Sequence, residues 1–216
     1  MPLSLSSETA GHTFHVIERG HLHAACFFNR ADRVVYLTWL GEYARQTGCA
    51  VHAYALMGNH VHLLLTPSMQ GGISCLMQHL GRRYQRHLAD TWQRAGPLWE
   101  AHFDITSVHH HRYVLACMRY IELNPVRARL AARPELFPWS SHRHNALGEE
   151  NALITPHSAY ALLARDTVAR RLVYRGLFDN VRPGGARRAP QSRSQAQGAA
   201  DIKANGEAKK TLGFKG

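Results

Sequence analysis

The stretch "ALMGNHVHLLLTP" (residues 55–67) places two histidines one residue apart in an otherwise apolar run. The segments "AVHAYALM" (50–57) and "HVHLLLT" (60–66) both have strand-like composition, and the "GN" between them is a strong turn signal. Together they predict a β-hairpin. Because side chains alternate across a strand, His60 and His62 share one face, and the apolar residues between and after them share the other.

Two imidazoles placed in this way can bind one divalent metal ion and leave coordination positions free for a substrate, as a catalytic metal requires. The same pattern also arises without a metal, because the chain contains 16 histidines and some fall in strands by chance. The pair is therefore a candidate metal site that needs support from other residues.

The apolar pattern outside the hairpin alternates between the strand and the helix period. It predicts a strand over 13–19, helices over 31–48 and 71–92, a strand over 98–108, and a helix over 109–130 that is interrupted at Asn124 by the following proline. The resulting order of elements fits an α+β fold, a ferredoxin-like domain with a mainly antiparallel sheet, flanking helices and one extra helix.

Charge and composition divide the chain into three parts. The 216 residues include 26 Lys and Arg against 15 Asp and Glu, a net charge of +11 that favours an anionic partner such as nucleic acid. Residues 181–216 carry eight basic and two acidic residues without apolar periodicity, which predicts a basic disordered tail. We expect a catalytic domain over 1–150, a helical extension over 151–180, and this tail.

Other compositional features exclude several protein classes. No apolar run approaches 18 residues, and the N-terminus lacks the pattern of a signal peptide, so we expect a soluble cytoplasmic protein without a membrane partner. The four cysteines form no CxxC pair, which argues against a zinc site or a disulfide framework.

The last predicted helix supplies further polar candidates. Tyr113, Cys117, Tyr120 and Asn124 follow one another at intervals of four, three and four residues, and therefore share one helical stripe. Asn124 could give a metal an oxygen ligand, and Tyr120 could be a nucleophile. Alternatively, Tyr120 simply packs at the helix end with its hydroxyl group in water.

Several blocks in combination resemble a known family. "HAYALMGNHVHLLLTP" is followed by "GRRYQRHL", "GPLWEAHFDITSV", "RYIELNPVRARL" and "FPWSSHRH", in the order and spacing found in the REP-associated tyrosine transposases. These are relatives of the IS200-type single-tyrosine (HUH) transposases. The resemblance covers about residues 12 to 147.

The resemblance implies a role for each matching residue. It places a divalent metal, Mg²⁺ or Mn²⁺, on His60 and His62 with help from Asn124, and it makes Tyr120 the nucleophile. Glu122 stands where relatives commonly have a histidine, and we expect it to point away from Tyr120 with little effect.

The resemblance also implies the reaction and the partner. The expected activity is cleavage and rejoining of single-stranded DNA at REP-like palindromic hairpins, through a covalent 5′-phosphotyrosine. Whether the protein acts as a monomer or a homodimer stays open. Two alternatives remain, a hairpin-binding protein that no longer cleaves and a metal-dependent nuclease that uses water. Candidate phosphate-binding residues are Arg82, Arg83, Arg86, Arg112, Arg119, Arg127 and Arg129.

Overall fold

A computed structural model describes residues 8–179, so the predicted tail over 181–216 lies outside the described residues. No helix in the described part of the chain is both long and apolar enough to cross a membrane. The elements, in chain order, are β1 (Thr13–Arg19), α1 (Arg30–Gln46), β2 (Cys49–Leu56), β3 (His60–Pro67), α2 (Gly72–Trp92), β4 (Asp104–Val108), α3 (His111–Arg127), α4 (Ser158–Ala161) and α5 (Thr167–Gly176).

The four strands form one antiparallel sheet in the order β2-β3-β1-β4. β2 and β3 are the predicted hairpin, closed at its end by a hydrogen bond from the Met57 N–H to the His60 carbonyl. Strands that are distant in sequence pair in the middle of the sheet, where β1 lies between β3 and β4. The predicted ferredoxin-like α+β fold is confirmed.

The sheet has two covered faces, as strand alternation requires. On one face, Val61, Leu63 and Leu65 pack in a core with residues of α1 and α2. On the other face, Leu64 packs with small residues of β2 and with the apolar stripe of α3. α3 therefore lies on the face that carries His60 and His62.

Two elements differ from the sequence-based expectation. Only Asp104–Val108 of the predicted strand 98–108 is a strand; before it, Trp99 makes a single bridge to Gly20. The interruption expected at Asn124 is wrong, because α3 continues through Pro125 to Arg127. Pro125 is buried in the last turn, where it lacks the N–H that would bond the carbonyl of Ile121.

The segment after α3 is attached to that helix through Glu122. This side chain is completely buried, and its carboxyl oxygens accept hydrogen bonds from Ser141 Oγ (2.7 Å), Asn145 Nδ2 (2.8 Å) and Tyr174 Oη (3.0 Å), with His142 Nδ1 at 3.1 Å. Glu122 makes no hydrogen bond with Tyr120 and is instead the centre of a buried polar network. The expectation that it has little effect on Tyr120 stays a prediction, whereas its part in the fold was not expected from the sequence.

We predict that Tyr174→Phe lowers the free energy of unfolding by about 1–3 kcal/mol, the cost of leaving a buried polar group short of one partner. The phenyl ring keeps the packing of the fully buried Tyr174, so the change isolates its hydroxyl group. Urea denaturation measures the difference. Tyr113→Phe is the control, because the exposed Tyr113 hydroxyl bonds only the exposed Arg112. Equal midpoints for the two variants would contradict the prediction.

Candidate active site

His60 and His62 lie side by side on β3, with ring centroids 4.9 Å apart and the rings nearly perpendicular. His62 is 3% exposed, whereas His60, at the hairpin end of the strand, is partly exposed. Both side chains are on the face covered by α3, as the strand period requires. One of the two imidazoles is therefore buried in the protein and the other borders solvent.

A third histidine joins the pair from the neighbouring strand. His15 of β1 stacks on His62 with ring centroids 5.2 Å apart, and its Nε2 lies 3.0 Å from His62 Nδ1. Sequence reasoning missed His15. The alternation of "TFHVIER" shows which residues share its face. Only the pairing of Ile17 with His62 shows that this face adjoins the pair.

In both His60 and His62, Nε2 is the ring nitrogen that makes no hydrogen bond with a described residue. His62 Nδ1 is bonded to His15, and His60 Nδ1 lies 2.8 Å from Asn59 Oδ1, which can only accept. A proton on each Nδ1 leaves each Nε2 with a lone pair. Such partners commonly set the tautomer and the orientation of histidines that bind a metal.

Burial keeps these imidazoles neutral. Desolvation, with smaller contributions from neighbouring histidines and Arg19, lowers the pKa of His62 well below its usual value. Desolvation followed by the charge of Arg19 lowers the pKa of His15 to about 4, and the pKa of His60 is also lowered, mainly by burial. Neutral imidazole is the form that binds a metal ion.

Tyr120 lies against the histidines. Its ring meets His15 and His62 edge-on, with centroid distances of 5.9 and 6.0 Å. The guanidinium of Arg127, two turns later on α3, lies 4.7 Å from the centre of the ring. Tyr120 is half-buried, and its hydroxyl group makes no hydrogen bond with residues 8–179. The hydroxyl is thus unpaired beside two neutral imidazoles.

Asn124 lies one helical turn after Tyr120, and its Nδ2 is buried without a hydrogen-bond partner in the described chain. A half-turn of the amide would present Oδ1 at the same place, because the two atoms have nearly the same size. Residues 8–179 contain no group of three His, Cys, Asp or Glu side chains arranged around a metal. A metal here would therefore need the two histidines, an oxygen such as that of Asn124, and oxygens from a substrate.

The candidate phosphate-binding arginines do not lie together. Arg82, Arg83 and Arg86 belong to α2, on the opposite face of the sheet from Tyr120, whereas Arg112, Arg119 and Arg127 belong to α3 and Arg129 follows it.

Arg83 already has structural partners. It bonds Glu42 at 2.8 Å and lies 4.4 Å from the centre of the Trp39 ring. Among the candidate arginines, Arg127 of α3 is the one that contacts the candidate nucleophile.

Comparison with known proteins gives three results. The family model described as "Transposase IS200 like" matches residues 9–124, while no curated protein sequence matches the chain. A structure of a REP-associated tyrosine transposase bound to a REP hairpin superposes with a TM-score of 0.55 at 14% identity, over 74% of this chain and 96% of that one. A crystal structure of a Deinococcus radiodurans R1 protein, provisionally classed as a transposase, is 23% identical over 54% of this chain and 92% of its own, with a TM-score of 0.39.

The first of these structures supports the fold, and the family model supports membership of the family. The matched region spans over half of the chain and includes the histidine pair, the candidate nucleophile and Asn124. The chain belongs to the IS200-like transposase family.

Proposed function

We propose that the protein is a metal-dependent single-strand DNA endonuclease and strand transferase with Tyr120 as its nucleophile. The observation that carries the proposal is the contact of Tyr120 with the histidine cluster. The centre of its ring lies 5.9 Å from that of His15 and 6.0 Å from that of His62, and its hydroxyl group makes no hydrogen bond with a described residue. The contact brings a free phenol beside the candidate metal ligands, as a nucleophile in a metal-dependent reaction requires.

The proposed reaction is a transesterification. The Tyr120 oxygen attacks a backbone phosphorus, the bond from phosphorus to the 3′ oxygen breaks, and a 5′-phosphotyrosine forms. The phenol proton is lost and the departing oxygen gains one, so the products are the covalent adduct and a free 3′-OH. One phosphodiester replaces another, which allows a 3′-OH to reverse the step and rejoin DNA without a nucleoside triphosphate.

His60, His62 and Asn124 fit a divalent metal by their chemistry. With the proton of each ring on Nδ1, two Nε2 lone pairs are available, and an amide nitrogen without a partner lies one turn from the nucleophile. When bound, Mg²⁺ or Mn²⁺ polarises the scissile phosphate and compensates the weak nucleophilicity of a phenol whose ordinary pKa is about 10. We further propose that His15 positions His62 by accepting its Nδ1 proton.

A hairpin of single-stranded DNA is the proposed substrate. The REP-associated transposase with the similar fold was solved with a REP hairpin, and the helix that carries Tyr120 also carries Arg112, Arg119 and Arg127. Arg127 is suited to hold a phosphate beside the nucleophile, since its guanidinium already lies over the Tyr120 ring. The catalytic unit is proposed to span residues 1–150, with 151–180 bracing α3 through Tyr174 and Glu122.

We predict that Tyr120→Phe abolishes formation of a covalent protein–DNA adduct while hairpin binding persists. The test incubates end-labelled hairpin oligonucleotides, taken from DNA flanking the gene, with protein and Mg²⁺ or Mn²⁺, and separates the products on a denaturing gel. Tyr113→Phe, on the same helix, is the matched control and should behave like the natural protein. Cleavage that survives Tyr120→Phe would support a water-using nuclease. Binding without adduct in the natural protein would indicate a silent hairpin-binding protein.

We predict that His60→Ala and His62→Ala each abolish Mn²⁺ binding in calorimetric titration and the adduct on the gel. His79→Ala, an exposed residue of α2 across the sheet, is the control and should leave both intact. The proposed metal site is wrong if Mn²⁺ affinity is the same in the His62 and His79 variants.

We predict that His15→Phe weakens Mn²⁺ binding about 10- to 100-fold, the usual effect of removing a residue that orients a metal ligand. Phenylalanine keeps a flat ring stacked on His62 and removes only the hydrogen bond at 3.0 Å. A calorimetric titration that gives unchanged affinity, with the fold intact by circular dichroism, would assign His15 to packing alone.

A further inference from the structure

A cavity lies on the face of the sheet opposite Tyr120. It has a volume of about 630 Å³ and is bounded by α2, by β1 and by the residues just before and within β4. Its wall includes Glu18, Gly81, Trp99 and Ile105. This volume is within the range of pockets that hold small organic groups, roughly 300–1,000 Å³. The proposed transesterification uses none of these residues.

Two polar groups in the wall of this cavity can bond a ligand. Trp99 is 8% exposed, and its buried Nε1 makes no hydrogen bond within residues 8–179. Glu18 is 7% exposed, and a Cβ added at Gly81 would lie 3.4 Å from Glu18 Oε1 and 3.6 Å from Trp99 Nε1, so both groups border one point of the wall. An unpaired buried polar group destabilises a fold, so the Trp99 indole beside this cavity indicates a ligand that pairs with it.

The protonation state of Glu18 determines which hydrogen-bonding groups the ligand must carry. Burial raises the pKa of its carboxyl group to about 8, partly offset by the Tyr36 hydroxyl beside it. Near neutral pH the group is mostly protonated and can both donate and accept a hydrogen bond, while the Trp99 indole donates. Their partner should therefore carry donors and acceptors on one flat edge, as every nucleobase does.

The charges around the cavity favour one position for a base and another for its phosphate. Arg82 and Arg86 also line it, both are exposed, and neither makes a hydrogen bond or ion pair with the described residues. Two further carboxyl groups line the wall, Glu100 and Glu8, the latter bonded to the start of α2. The carboxyl groups disfavour a phosphate inside the cavity, whereas the free guanidinium groups favour one outside it.

We propose that this cavity binds one unpaired nucleobase of a single DNA strand, with Glu18 and Trp99 bonding its polar edge and Arg82 and Arg86 holding the adjacent phosphate. The proposal rests on the proposed function in that single-stranded DNA is the substrate. It adds a base-reading site separate from the proposed cleavage site. Arg82 and Arg86 of α2, which do not contact Tyr120, thereby have a role in holding DNA.

The test follows the indole signal of Trp99 in ¹H–¹⁵N NMR spectra of the full chain. The protein has four tryptophans, so the spectrum holds four such signals, and Trp99→Phe identifies the relevant one. The probes are dAMP, dCMP, dGMP and dTMP, with deoxyribose 5-phosphate as the control ligand. We expect at least one nucleotide to shift the Trp99 signal at millimolar concentration, and the sugar phosphate to leave it in place. A signal that no nucleotide moves, or that the sugar phosphate moves equally, overturns the proposal.

Gly81→Ala tests the site without endangering the fold. The added methyl group meets its neighbours at ordinary contact distance, and alanine stabilises a helix interior relative to glycine. The group fills the point where Glu18 and Trp99 converge, so we expect nucleotide affinity to fall about tenfold, the loss of roughly one hydrogen bond. Gly41→Ala, at a comparable position in α1, is the matched control and should retain affinity. Equal affinity in both variants overturns the proposal.

Repeating the titration with Tyr120→Phe separates this proposal from the proposed function. Nucleotide binding should persist, because Tyr120 lies across the sheet. An adduct on the gel without nucleotide binding refutes the base site alone. Nucleotide binding without an adduct supports the base site and refutes the transesterase alone.

Discussion

The pairing register between β1 and β3 is the constraint on which the rest of the structure depends. It sets Ile17 opposite His62 and His15 opposite Leu64, so that His15 and His62 become diagonal neighbours on one face. A slip of one residue would turn the histidines of one strand toward α1 and α2 and the apolar residues toward α3. The apolar core on each face of the sheet therefore fixes the geometry of the histidine cluster.

The parts that could be predicted from the sequence depend on local periods. The hairpin, the shared face of His60 and His62, and the presence of Tyr120 and Asn124 on one helical stripe all follow from residues close together in the chain. His15 could not be found in this way, because its neighbour is 47 positions away and no local pattern specifies which strands pair. The buried network of Glu122 was missed for the same reason, since all of its partners lie 19 to 52 positions later.

Two buried carboxyl groups illustrate different uses of a polar interior. Glu122 is surrounded by partners from two later segments, residues 141–145 and α5, and such a fully satisfied network specifies one arrangement of helices. Glu18 is almost as deeply buried, and the Tyr36 hydroxyl lies beside it. The first group contributes to stability, whereas the second borders the cavity where we propose that a nucleobase binds. The two lie on opposite faces of the sheet.

The attachment of α3 through Tyr174 also bears on the order of events during synthesis. The helix that carries Tyr120 leaves the ribosome well before α5 does, and until α5 emerges the carboxyl group of Glu122 lacks one of its donors. Proteins fold progressively as their domains are completed. An incomplete chain therefore holds Tyr120 on a helix whose buried carboxyl group still lacks the hydroxyl donor of Tyr174.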